Sequence, residues 1–169
     1  VFLGGVIITL VTVAVMPQNR VVFGVLTLIG SCMLLMQIFD QWLRRLPAAL
    51  GVMVSFLLFF LTRNINEGWF GFEQWNIIQL PTALYCNLFM TYLGFTQSDF
   101  YSTDYFSLFP WAFLFLAGYF SYRFVSKTKG MQFLEKSALH PVEWIGKHSF
   151  GIYLAHQPVT FLILELVNW

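Results

Sequence analysis

Charge is what this sequence has least of. Nine Lys and Arg and eight Asp and Glu make up 10% of 169 residues, where a soluble domain carries roughly 25%. So few charges exclude a well-solvated globular surface. The basic residues are too dispersed to track phosphates, so nucleic acid is not a partner. The two cysteines, Cys32 and Cys86, lie in apolar stretches and give neither a disulfide framework nor a metal site. No Walker loop, dinucleotide fingerprint, nucleophile elbow or zinc helix is present. Repeats, low-complexity tracts and a second domain are also missing, so 1–169 reads as one domain. The chain opens on V-F-L-G-G-V-I-I-T-L with no Met and no basic lead, so no signal peptide is recognisable. It reads as the later part of a protein with helices upstream of Val1.

What remains is 58% hydrophobic and 20% aromatic, with positive mean hydropathy. That composition predicts an integral, multi-pass plasma-membrane protein with the lipid bilayer as its main partner. The expected fold is an all-α polytopic transmembrane helix bundle of about five spanning helices plus one short re-entrant or interfacial segment. Val1 to Met16 is too short to cross alone. Val21 to Phe39 and Leu46 to Thr62 are full spans, separated by a polar break from Asp40 to Arg45. Each run carries a face of small residues: Gly5, Thr9 and Thr12; Gly24, Thr27 and Ser31; Ala48, Gly51 and Ser55. Such faces let helices approach closely in lipid, and self-association into a homo-oligomer stays open. Arg63 to Leu80 reads as a polar connection whose Trp69, Phe70, Phe72 and Trp75 suit a membrane–water interface. Thr82 to Phe95 is too short to cross. Phe106 to Val125 and Ser149 to Val167 are the last two spans, and a kink is expected at Pro158.

The segment 123–147 is the most basic connection, which places it in the cytoplasm. For the earlier spans the same rule does not decide. Seven basic residues face two whether or not 82–95 crosses. The length of 82–95 favours the arrangement in which it does not cross. Asp99, Asp104 and Tyr105 then lie outside.

The sharpest chemistry lies in the last span. A stretch long enough to cross a bilayer holds His156, Gln157 and Pro158, and an ionisable residue at such depth reads as functional. Ser149, Tyr153, His156 and Thr160 share one helical face, with Gln157 at its edge. Histidine suits proton transfer near neutral pH; packing against a neighbouring helix is the plain alternative. His148 lies about 12 Å away along a helix, too far to share a metal, and is expected near the helix start at headgroup level. His140, before Pro141, reads as a loop residue. Asp104 caps a helix or orients an acceptor at the outer mouth. Arg44, Arg45, Arg123 and Lys127 set topology or meet the phosphates of a cytoplasmic cofactor.

Three stretches together resemble a family. They are G-G-V-I-I-T-L-V-T with M-P and F-G-V-L-T-L-I-G, then S-T-D-Y-F-S-L-F-P-W, then W-I-G-K-H-S-F-G-I-Y-L-A-H-Q-P. Their order and spacing resemble the heparan-α-glucosaminide N-acetyltransferase-like membrane proteins, in their bacterial branch. The resemblance implies an acyltransferase that uses cytoplasmic acetyl-CoA, no metal, and an amino-sugar or glycan acceptor on the far side of the membrane. It implies that the principal catalytic histidine lies upstream of Val1, leaving this stretch inactive alone. His156 matches the last-helix histidine, and Asp104, Tyr105, Pro110 and Trp111 match the second motif. Thr27 departs from the histidine that bacterial relatives usually carry. On this reading His156 is catalytic. Tyr153, Gln157, Asp104, Tyr105 and Trp111 touch substrate, and Arg44, Arg45, Arg123 and Lys127 hold the cofactor. A transporter of a small polar metabolite, or a non-catalytic scaffold, is the alternative.

Overall fold

Proline and small residues set the ends and contacts of the helices. α1 (Phe2–Val15) stops before Pro17, which opens a single 3-10 turn. Thr12 ties that turn back: its hydroxyl accepts from the Val21 amide at 3.0 Å and donates to the Ile8 carbonyl at 2.8 Å. α2 (Val25–Leu43) follows Gly24, and α3 (Ala48–Thr62) follows Pro47. A computed structural model describes residues 1–126 and 140–167, with side chains left out at 140–142, 157, 158, 161, 162, 164 and 165. The chain divides into two compact units, Val1–Val125 and Ser126–Trp169.

The first unit buries small residues on its helix faces, beside Leu26, Leu28, Leu108 and Phe120, and leaves many large apolar residues exposed. Gly5 of α1, Gly24, Thr27 and Ser31 at α2, and Gly51 and Ser55 of α3 are all buried. Leu3, Ile38 and Met53 are 70% or more exposed. The small faces are where backbones meet. A Cβ on Gly5 would lie 2.6 Å from Thr27 Oγ1, and one on Gly30 would lie 2.5 Å from Phe2 Cα. The packing role expected of these faces is the one observed.

α2 runs through the expected polar break at Asp40–Arg45 as far as Leu43. An Asp40–Arg44 ion pair of 2.8 Å, one turn apart, supports its end. Among the described residues, two helices are long and apolar enough to cross a membrane: α2, and α3 with its following 3-10 turn, Ala48–Glu67.

The fold is mostly helical, but the aromatic connection is a β-hairpin that corrects the all-α expectation. β1 (Trp69–Phe72) pairs antiparallel with β2 (Trp75–Gln79), with a bulge at Phe70/Gly71. Gly71, at φ 153°, is required there, because a Cβ would lie 1.9 Å from the Trp75 carbonyl oxygen. Asn64, buried below, donates to the Glu73 carbonyl at 2.7 Å and to Asn76 Oδ1 at 2.9 Å. The 82–95 run is a 3-10 turn followed by α4 (Leu88–Leu93), which is capped by the Asn87 side chain. Six residues at about 1.5 Å each give roughly 9 Å, too short to cross.

α5 is Trp111–Val125, five residues shorter at its start than the expected span. Residues 103–109 are instead an irregular strap. Thr103 donates to the Arg20 carbonyl, Phe106 to Phe23, Leu108 to Tyr92 and Phe109 to Leu93.

The ends of the helices sort into two groups. Arg123, at the end of α5, donates to the carbonyls of Leu43 at 2.8 Å and Arg44 at 3.0 Å. At the other end, Arg63 stacks 5.4 Å over Trp111, and Arg20 bonds the Tyr101 carbonyl. Arg44 and Arg123 therefore share one end of this unit, while Arg63 lies at the other, with Trp111 and the hairpin that follows α3.

The second unit holds α6 (His140–Val167), 28 residues long. It starts nine residues before the expected span and continues as helix through Pro158. His140 begins it rather than lying in a loop. His148 lies two turns inside rather than at its start.

Candidate functional site

On α6, His156 and Tyr153 meet as the shared face predicts, with ring centroids 5.1 Å apart. His156 Nδ1 lies against the Tyr153 carbonyl. A carbonyl only accepts, so Nδ1 carries the proton and Nε2 is left as the basic nitrogen. Thr160 donates to the His156 carbonyl at 2.7 Å, so it serves its own helix. His148 repeats the pattern on Trp144 at 2.8 Å. The His156 side chain is exposed in this unit. The Gln157 side chain, Pro158 and Lys127 lie outside the described residues or side chains.

In the first unit the D-Y-F-S-L-F-P-W stretch is a structural strap. Asp104 lies seven residues ahead of α5 and does not cap it. Its carboxylate sits instead at the start of α2, 3.2 Å from where a Cβ on Gly24 would stand, near the positive end of that helix. Tyr105 donates to the Thr91 carbonyl at 2.5 Å and accepts from Thr96 at 3.2 Å. Trp111 packs against Phe59 and Phe106 beneath Arg63. Arg44 pairs with Asp40, and Arg123 is held by backbone carbonyls and by the Tyr119 and Phe120 rings. Arg45 is exposed beside them. Thr27 is buried and borders an apolar cavity of about 310 Å³ with Phe2, Val6, Phe23 and Tyr92.

Burial pushes the Tyr105 phenol above its ordinary 10.0, partly opposed by the Thr96 and Ser107 hydroxyls, and burial does the same to Tyr85. A raised phenol means that the fold holds the proton more tightly than the unfolded chain does. This stability is complete below the unfolded value and falls as pH rises through the folded one. Thermal melts should therefore show Tm dropping above about pH 10, with a shallower drop in Tyr105→Phe. An unchanged slope in that variant would remove Tyr105 as the source.

The sequence reading did not anticipate the polar cavity of about 490 Å³ beneath the hairpin. Asn66, Glu67, Trp69, Gln79, Thr82, Tyr85, Thr96 and Ser98 line it, with Gly68 and Leu80. Thr96 joins it to the strap through Tyr105. The available signal was a pair of four- to five-residue aromatic and β-branched runs around Gly68, Gly71 and a Glu73-Gln74 turn.

Over residues 1–158 the chain matches the family of the heparan-alpha-glucosaminide N-acetyltransferase catalytic domain. The chain belongs to that family. The family name describes acetyl transfer to an amino sugar. No curated protein and no solved structure matches the chain.

Proposed function

We propose that this chain is part of a multi-spanning membrane acyltransferase. It passes an acetyl group from cytoplasmic acetyl-CoA to an extracytoplasmic amino sugar or glycan. The observation that carries this reading is the family match over 158 of 169 residues. Helices with large apolar residues outside and small ones inside support a bilayer setting. The end holding Arg44, Arg45 and Arg123 is the cytoplasmic end, with Lys127 following. Arg45 and Lys127 are the candidates to meet the donor's phosphates; Arg44 and Arg123 contribute charge while bonded to protein groups. The opposite end, with the hairpin and its cavity, faces the acceptor.

His156 serves as a general base. Its Nε2 takes the proton from the acceptor amine as that nitrogen attacks the thioester carbonyl. The C–S bond breaks, the imidazolium gives that proton to the departing thiolate, and coenzyme A leaves as its thiol as the amide forms. Tyr153 holds the imidazole, and Gln157 lies one residue on. Asp104, Tyr105 and Trp111 fix the outer rim rather than touch the reacting atoms. The test is full-length protein in proteoliposomes with labelled acetyl-CoA on the cytoplasmic side. Label should appear on an amino sugar in the opposite compartment. Label confined to the donor side would overturn the reading.

A further inference from the structure

The hairpin cavity presents acceptors of hydrogen bonds to whatever enters. Tyr85 spends its hydroxyl proton on the Ile65 carbonyl at 2.6 Å, which leaves its oxygen lone pairs free. Thr96 spends its proton on Tyr105, whose own proton goes to Thr91, so Thr96 also offers lone pairs. Glu67 adds an exposed carboxylate at the cavity's edge. Asn66 lines the same cavity, with its Oδ1 buried behind the surface toward Gly94. Trp69 supplies a half-buried indole face to the same space.

A wall of hydroxyls and amides with one carboxylate and one aromatic side chain suits a particular chemistry. The matching ligand exchanges several hydrogen bonds, carries a positive charge, and has an apolar face. A pyranose ring has C–H groups on its face and hydroxyls at its edge, and an ammonium substituent supplies the charge. We infer that this cavity, built by Asn66, Glu67, Trp69, Tyr85 and Thr96, holds the amino-sugar unit of the acceptor, with Glu67 on its ammonium and Trp69 on its ring. This rests on the proposed function for the acceptor's class, but it is a statement about binding and needs no transfer step. The cavity of about 490 Å³ lies within the usual range for small-ligand sites, roughly 300–1,000 Å³. An ammonium held by Glu67 must lose its proton before it can attack, so the cavity is a holding site and not the place of reaction.

Titration of the full-length protein in nanodiscs, without acetyl-CoA, tests this. The probes are a glucosamine disaccharide and its N-acetylated counterpart, which lacks the charge. Glu67→Gln should weaken glucosamine binding at least tenfold and leave the N-acetylated sugar unchanged. Trp69→Ala should weaken both, and Trp69→Phe should restore most of the loss. Thermal melts check that each variant folds. If wild-type protein binds neither sugar, or if folded Glu67→Gln and Trp69→Ala bind like wild type, the inference is wrong. Transfer assays separate the two proposals. Normal KM for acceptor in both variants sinks the cavity and spares the enzyme. Cavity-dependent binding with no transfer by wild type does the reverse.

Discussion

His156→Ala should lower acetyl transfer by roughly 10²–10⁴-fold, the usual contribution of a positioned acid–base group. The protein should remain folded, because the His156 side chain is exposed in its own unit and surface substitutions usually cost within about 0.5 kcal/mol. The Thr160 bond goes to the His156 backbone carbonyl and survives the change. Tyr153→Phe should do far less, because His156 is held by the Tyr153 carbonyl rather than its hydroxyl. Undiminished transfer in folded His156→Ala would return this residue to helix packing and leave the catalytic base elsewhere.

Gly51→Ala should cost about 1–3 kcal/mol of stability, the range for overpacking a filled contact. Its new methyl would lie 2.3–2.6 Å from three ring carbons of Phe120, which is 2% exposed. That contact joins α3 to α5, whose opposite ends are fixed by Arg63 on Trp111 and by Arg123 on Leu43. Melting in detergent should show a Tm several degrees lower, and Phe120→Leu in the same chain should recover part of it. Gly118→Ala is the matched control. Among the described residues nothing beyond its own stretch of helix lies within 4 Å of its added carbon, and alanine favours helix over glycine by about 1 kcal/mol. Equal melts for the two alanine variants would mean that α3 and α5 do not pack as described.

The sequence alone determined the features that are local. Apolar runs marked the helices, and small residues at helical spacing marked the faces that became buried at Gly5, Thr27, Ser31, Gly51 and Ser55. Three motifs indicated the family. The hairpin escaped because Trp69, Phe70 and Trp75 suit a strand and a membrane interface equally well. The strap escaped because D-Y-F-S-L-F-P-W is apolar enough to pass for the start of α5, and its hydrogen bonds go to Arg20, Phe23, Tyr92 and Leu93. Counting basic residues left two arrangements of equal score. In the structure Arg123 donates to the Arg44 carbonyl, between residues 79 positions apart, so these two basic residues share one end of the first unit. The cavity likewise needed three stretches of chain to converge, 66–69, 79–85 and 96–98. Periodicity and composition report a residue's neighbours along the chain; which ends and walls meet depends on contacts that no single segment contains.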